Sequence, residues 1–309
     1  MVRFVATRIL QFPLVLAIIY LLTFLMAWVA PGDPFQRNDR NLSPEALEAR
    51  RREFHAESAG SFLAHYTKQI VLHGDFGRSM HYDEWTVNDI LADALPISVT
   101  LGALALVIAT FGGVALGTLA AVRRGGPFDM FSLGVALAGI SLPSFVAGSV
   151  LLIVFGAVLK WMPIGGWGSP TQMILPAIAL ALGPMAYIAR LTRVGMIDVL
   201  SSDYVRTARA KGLSRPSVVW KHALTNAILP VVSFLGPAAA ATFTGSFVIE
   251  SVFRIPGMGQ HFVNSILNRD RTLILGTVIV YSFFLLALNL IVDILYAFVD
   301  PRIDVTAKT

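Results

Sequence analysis

An all-α membrane protein with six transmembrane helices, and a long external loop between the first and second, is the fold this sequence predicts. Three observations carry it. Of 309 residues, 55% are hydrophobic and only 14% are charged, too little charge to disperse a soluble domain of this size. Mean hydropathy is correspondingly positive, at +0.69. The apolar residues also come in continuous runs of about 20, the length a helix needs to cross a bilayer core. A closed barrel is the other structure that satisfies its backbone in lipid, but its strands alternate apolar and polar residues and these runs do not.

The helices are expected near residues 9–30, 97–121, 129–158, 172–195, 227–250 and 272–299. The first run, Phe12 to Ala30, follows Arg3 and Arg8. A cleaved signal peptide is the rival, since Ala27-Trp-Val-Ala30 resembles a cleavage site. The run exceeds the ~7–15 residues of a signal core, so it reads as an uncleaved span. The domain division is then 1–30 for the first span, 31–95 for the external loop, and 96–309 for a five-helix core containing a loop at 198–226. In the external loop, Ser43-Pro-Glu-Ala46 starts a helix that continues through Arg50 to Glu53 on a solvated face. His55, His65, His73 and His81 have no compact metal-ligand spacing and read as ordinary loop histidines.

Within the spans, Ala109, Gly113, Gly117 and Ala121 recur every four residues and make a flat ridge for close helix packing. Pro143 in Ser141-Leu-Pro-Ser144 bends the third span, and Gly183-Pro184 and Gly236-Pro237 do the same in the fourth and fifth. Ser141, Ser144, Thr242, Thr244 and Ser246 are candidates to line a water-filled path. Ordinary packing, with hydroxyls bonded back to helix carbonyls, accounts for the fifth-span residues equally well, and both readings stand. Glu250 and Asp293, the latter one turn after Asn289, suit structural hydrogen bonds or ion pairs; a proton relay needs more such groups at mid-membrane.

Short-loop charge sets the orientation. With the N-terminus inside, the inner ends carry Arg3, Arg8, Arg123, Arg124, Arg190, Arg193, Arg206, Arg209, Lys211, Arg215, Lys221, Arg302 and Lys308. The short outer loops hold only Lys160, Arg254, Arg269 and Arg271, so both termini are placed in the cytoplasm. Basic residues at span ends, with net charge +5, are not a nucleic-acid signature. No cysteine is present, which excludes thiolate metal sites. No phosphate-cradling GxxxxGK[ST] and no HExxH occur, so the chain reads as catalytically empty and binds no cofactor.

One polar, basic stretch interrupts the apolar pattern. Ser202 or Asp203 can cap a short helix, Gly212 can end it, and Ser214 with Pro216 can start another. Tyr204 and Ala208 fall one turn apart, with Arg206 and Arg209 on another face. A lipid-anchored basic loop explains the charge but not the paired caps and glycine turn.

Ala208-Arg-Ala-Lys-Gly212, followed by Ile228-Leu-Pro230, resembles the coupling loop of ABC-importer permeases, with Arg206-Thr207 where the motif's leading acidic residue stands. Ala30-Pro-Gly-Asp-Pro34, His73-Gly-Asp-Phe-Gly77, Ser141-Leu-Pro-Ser-Phe145, Ile255-Pro-Gly-Met-Gly259 and Asp300-Pro-Arg302 resemble the dipeptide/oligopeptide permease family. Val87-Asn-Asp-Ile90 and Leu267-Asn-Arg-Asp270 are most similar to its oligopeptide-type subunit, while His55-Ala-Glu-Ser-Ala59 departs from the pattern. The resemblance implies a type I ABC-importer bundle in a bacterial inner membrane. Its partners would be a second homologous permease, two cytoplasmic ATPases that bind ATP and Mg, and an extracytoplasmic peptide-binding protein. Residues 203–212 (Asp203, Tyr204, Val205, Arg206, Ala208, Arg209, Lys211 and Gly212 foremost) would form the helix that enters a cleft on one ATPase. Closure of the ATPases around ATP would push it and flip the path from inward- to outward-open. Ile255, Pro256, Gly257, Met258 and Gly259 would gate the outer side or meet the binding protein. Cargoes such as nickel chelates, glutathione or sugars fit the same architecture; an ion-coupled secondary transporter predicts mid-membrane charges and paired repeats instead.

Overall fold

The computed structural model describes the backbone of residues 2–35 and 43–299, with side chains throughout except at 2–6, 241, 244, 245, 292, 293 and 295–299. Thr244, Asp293 and the Asp300-Pro-Arg302 motif therefore have side chains outside the described residues. The described residues are helical, with one isolated antiparallel bridge, Arg78 to Thr86. Four helices are long and apolar enough to span a membrane, or up to six if two bent pairs each count as one crossing. The chain divides into two compact units, Met1–Ser98 with Pro256–Leu290 and Val99–Ile255 with Ile291–Thr309.

The first unit contains the segment that follows the first helix. Helix α1 (Val2–Val29) leads in; α2 (Pro44–Glu53) starts where Ser43 Oγ accepts the Ala46 amide at 3.3 Å, as its Ser-Pro-Glu start predicts. His55 then takes a left-handed φ of 50°, turning the chain into α3 (Ala59–His73), which Ser58 caps through the Ser61 amide at 3.1 Å. The departing His55–Ala59 stretch is thus a turn plus a helix cap. α12 (Met258–Leu267) and α13 (Arg271–Val299) complete the unit with the first turns of α4 (Val87–Val122).

Aromatic side chains form its core. Phe24, Phe35, Phe62, Tyr66, Met80 and Leu275 are buried together, with Phe24 and Tyr66 stacked on either side of Phe62 at 6.1 and 5.4 Å. Removing each such side chain from water contributes roughly 1.5–3 kcal/mol. The Tyr66 hydroxyl donates to the Thr272 carbonyl at 2.8 Å. Burial, with Tyr20, Asp270 and Asp75 nearby, pushes that phenol well above its usual pKa, so it serves as a fixed donor.

The second unit is built around α7 (Pro170–Leu200), the most heavily buried of the spanning helices. The small-residue ridge of α4 lies against it: a Cβ at Gly113 would come 2.7 Å from the Met185 carbonyl, and one at Gly117 would collide with the Ala189 carbonyl. The expected close packing is therefore backbone against backbone. α5 (Pro127–Ser141) and α6 (Ser144–Leu151), the latter continued by a π-helical stretch Leu152–Val158, also pack on α7. Pro143 does more than bend the predicted third span, since the two arms meet at 112°. α7 and α11 (Leu229–Val252) continue through Pro184 and Pro237 as single helices.

Candidate functional site

At the end of α7, Ser201 and Ser202 turn their hydroxyls back to the Asp198 and Val199 carbonyls at 2.7 and 2.6 Å. Ser202 sits at the N-cap of α8 (Asp203–Ala210) with extended backbone but without the side-chain cap its identity predicts, its hydroxyl being turned back toward α7. Asp203 instead supplies a negative charge in the first turn, favourable to the helix dipole. Its carboxylate lies 3.3 Å from Arg206 one turn on, an exposed pair of small energetic weight.

The C-terminus is sharply defined. Gly212 has φ of +83°, its amide donates to the Arg209 carbonyl at 3.0 Å, and the Leu213 amide reaches back to the Ala208 carbonyl at 3.3 Å. These two bonds are a Schellman ending, which favours glycine because a side chain strains left-handed backbone. Ser214 opens the next element, α9 (Arg215–Ser217), with Pro216 inside its first turn. A π-helical stretch, Val218–Ala223, leads into α10 (Leu224–Ala227).

The two faces of α8 differ. Val205 and Ala208 are buried on Val218, with half-buried Val199 and Leu200 beside them. Asp203, Tyr204, Arg206, Arg209, Lys211 and Gly212 are exposed. Tyr204 is not a free knob: its hydroxyl accepts from Asn226 Nδ2 at 2.8 Å and lies 3.3 Å from the His222 carbonyl, while 44% of the residue stays exposed. α8 is thus a short amphipathic bar fixed by its inner face to α7 and to the segment before α11.

The other predicted residues fall in different settings. Thr242 is fully buried, its hydroxyl 2.9 Å from the Ala239 carbonyl, and buried Ser246 bonds the Phe243 carbonyl at 2.7 Å. That is the packing arrangement. Ser141 is exposed, and half-buried Ser144 lines a cavity of about 340 Å³ at the α5–α6 break, together with Leu142, Gly139 and Pro184. Of the outer segment, Ile255, Gly257, Met258 and Gly259 are buried and only Pro256 is exposed. The Met258 amide donates to Ser98 Oγ at 2.9 Å. Glu250 is fully buried, and Asn289 is exposed. The His55 and His65 rings lie 3.8 Å apart, and among the described residues no three His, Asp or Glu side chains converge on a metal-sized site.

Two polar anchors lie in no motif read as functional. Arg193 forks onto Asp129, Nε to Oδ1 at 2.6 Å and Nη2 to Oδ2 at 2.8 Å, and the Gly125 amide adds a third bond at 2.9 Å. This bidentate pair ties α5 to α7. Asp270 caps α13 through the Leu273 amide at 3.0 Å, accepts from Ser79 Oγ, and lies 3.2 Å from the His81 amide. Both acids also reach partners 64 or more residues away, which no local pattern announces.

Residues 113–305 match the family described as binding-protein-dependent transport system inner membrane component. The dipeptide transport system permease protein DppB of Bacillus subtilis (strain 168) is 42% identical over 310 residues, covering 100% of both chains. The oligopeptide transport system permease protein OppB of Salmonella typhimurium is 43% identical, covering 98% of this chain and 99% of its own. OppB of Escherichia coli (strain K12) is 42% identical with the same coverage. Among solved structures, a chain from an amino acid ABC transporter crystallised with histidines matches with a TM-score of 0.50 at 18% identity. It covers 70% of this chain and 95% of that one, a likeness of fold alone. Full-length identity and the family match agree with an apolar bundle bearing a short helix before the Gly212 turn: the chain belongs to the inner-membrane permease family of binding-protein-dependent transport systems.

Proposed function

We propose that this chain forms half of the translocation path of an ATP-driven importer for dipeptides or oligopeptides, with α8 and the Gly212 turn as its joint to a partner ATPase. As a family member it is a multi-pass, non-catalytic permease subunit that works with a partner permease, ATPases and a binding protein. The finer assignment is a bacterial inner membrane, both termini in the cytoplasm, one second homologous permease, two ATPases that bind ATP and Mg, and one extracytoplasmic binding protein. The relatives' names support the peptide cargo.

The observation that carries the coupling role is the two-faced geometry of α8. Its outer face (Asp203, Tyr204, Arg206, Arg209, Lys211) is exposed, while its inner face is buried on Val218 beside Val199 and Leu200. A rigid bar gripped on one side and packed on the other transmits displacement, because close-packed side chains yield little before the helices behind them move. ATP-driven closure of the partners then moves α8, and α8 moves α7 and the helices following Val218. Ser141 and Ser144 line the path in this reading, and Ile255 to Gly259 form an outer gate with Pro256 as its exposed point.

The test is reconstitution of the importer in proteoliposomes with Tyr204→Cys or Arg206→Cys as cross-linking sites. Cross-links to an ATPase subunit and ATP-dependent uptake of labelled peptides are expected. Cross-linking to lipid alone removes the coupling role. Uptake of nickel chelates, glutathione or sugars in place of peptides removes the cargo assignment, and gradient-driven uptake by the purified chain alone removes the ATP-driven reading.

A further inference from the structure

A cavity of about 340 Å³ lies among the far end of α1, the end of α12 and the start of α13. Its wall is almost wholly apolar, with Met26 and Ala27 from α1 and Ile274 and Val278 from α13; its charged members are Arg269 and Arg271. From Arg271 to Val278 the helix rises about 10 Å, so the apolar wall extends well into the span while the two arginines stay at its end.

The arginines are held in place. Arg271 lies 4.3 Å over the Trp28 ring, and its Nε donates to the Ala27 carbonyl at 3.3 Å. Arg269 has a left-handed φ of 59° and packs its guanidinium on Gly32, where a Cβ would collide with it. Among the described residues neither guanidinium has a carboxylate within 4 Å; Asp33 attracts Arg271 from farther off, and its direct partners are elsewhere. Asp33 pairs with Arg51 and accepts the Phe35 amide, and buried Asp270 holds Ser79 and the Leu273 amide. Met26 is 75% exposed, so the apolar wall is open along α1. A tryptophan beside two cations at the end of two spans is the arrangement that meets headgroups.

We propose that this cavity is a site for an anionic phospholipid, its phosphate on Arg269 and Arg271 and one acyl chain along Met26, Ala27, Ile274 and Val278. Charge complementarity selects the headgroup, and the open apolar wall selects an amphiphile over a soluble anion or a peptide carboxylate. Bound there, the lipid ties the end of α1 to the start of α13.

The test uses the assembled importer in nanodiscs and photoactivatable phosphatidylglycerol or phosphatidylcholine, with cross-links mapped by peptide mass spectrometry. Phosphatidylglycerol is expected to label the segments around Met26 and Ile274–Val278 in preference to phosphatidylcholine. The R269Q/R271Q variant is expected to lower its affinity about 30-fold, since each basic residue near a surface adds roughly one increment of anionic-lipid attraction. Val278→Trp, which fills the wall and keeps both charges, is expected to reduce labelling by either lipid and gives a second readout if the double variant does not assemble. Equal labelling by both lipids overturns the proposal, as does phosphatidylglycerol labelling unchanged in either variant. Displacement by millimolar inorganic phosphate assigns the site to free phosphate, and displacement by peptides with a free carboxylate assigns it to substrate; either result overturns a lipid site.

Discussion

Gly212 offers the sharpest test of the coupling joint, because its requirement is conformational and not steric. Its φ is +83°, and an added Cβ meets nothing within 4 Å. A side chain there therefore costs only backbone strain inside this chain, about 1–2 kcal/mol for alanine. The lower entropy of the unfolded alanine chain offsets about 0.4–1 kcal/mol of that in global unfolding. Valine costs more, since a branched Cβ crowds left-handed backbone further; asparagine tolerates the conformation and costs least. At 1.4 kcal/mol per factor of ten, Gly212→Val should raise opening of the turn by about tenfold or more, and Gly212→Asn only a few-fold. The affected bonds are the Gly212 amide to Arg209 and the Leu213 amide to Ala208. The assay is hydrogen exchange over 208–213 in the assembled importer, read beside peptide uptake per ATP hydrolysed. The order Gly, Asn, Ala, Val is expected in both, with membrane insertion unchanged. If asparagine impairs uptake as much as valine, bulk in the partner's cleft governs and the conformational argument fails. If valine changes neither quantity, the turn is not part of the coupling path.

Other perturbations address the anchors. Asp270→Ala removes the cap of α13 and leaves Ser79 Oγ without its carboxylate acceptor; a local loss of about 1–3 kcal/mol should appear as faster exchange at 79–82 and 271–274. Asp129→Asn should lower Tm, since it removes the carboxylate that holds the Arg193 guanidinium, whereas D129N/R193Q should recover part of that loss in thermal unfolding. Gly117→Leu should cost about 1–3 kcal/mol or more by forcing α4 off the Ala189 carbonyl, read as a lower Tm in detergent. Burial, then the neighbouring His55 and Lys68, holds the His65 imidazole below its usual pKa. The unfolded chain then binds the proton more readily, so this contribution is complete above about pH 6.5 and is lost as pH falls through the lower folded value. The α2–α3 segment should be more susceptible to protease at pH 5.5 than at pH 7.5, and His65→Gln should flatten that difference.

Local rules made much of the architecture legible. The Ser43 start of α2, the break at Pro143, the Gly212 ending of α8 and the small-residue ridge of α4 each depend on one residue's backbone freedom or bulk. The exposed and buried faces of α8 were less legible. Spacing alone grouped Tyr204 with Ala208, but the structure buries Val205 with Ala208 and leaves Tyr204 half outside, because Val218 supplies the surface that chooses the face. The hydroxyls of Thr242 and Ser246 were equally suited to line a path or to bond their own helix; in the structure both are buried and bonded to carbonyls of α11.

Sequence by itself determined that this chain is a helical membrane protein, where its helices turn, and which family it resembles. The first two follow from transfer energies and dihedral limits summed over neighbours in the chain, and the resemblance rests on its motifs. Tertiary structure alone decided the partners of Asp129 and Asp270, the burial of Ile255 and Met258, and the pairing of two arginines with an apolar cavity. These depend on distances between residues far apart in the chain. The folding free energy that sets such distances belongs to the whole packed unit and to no single segment.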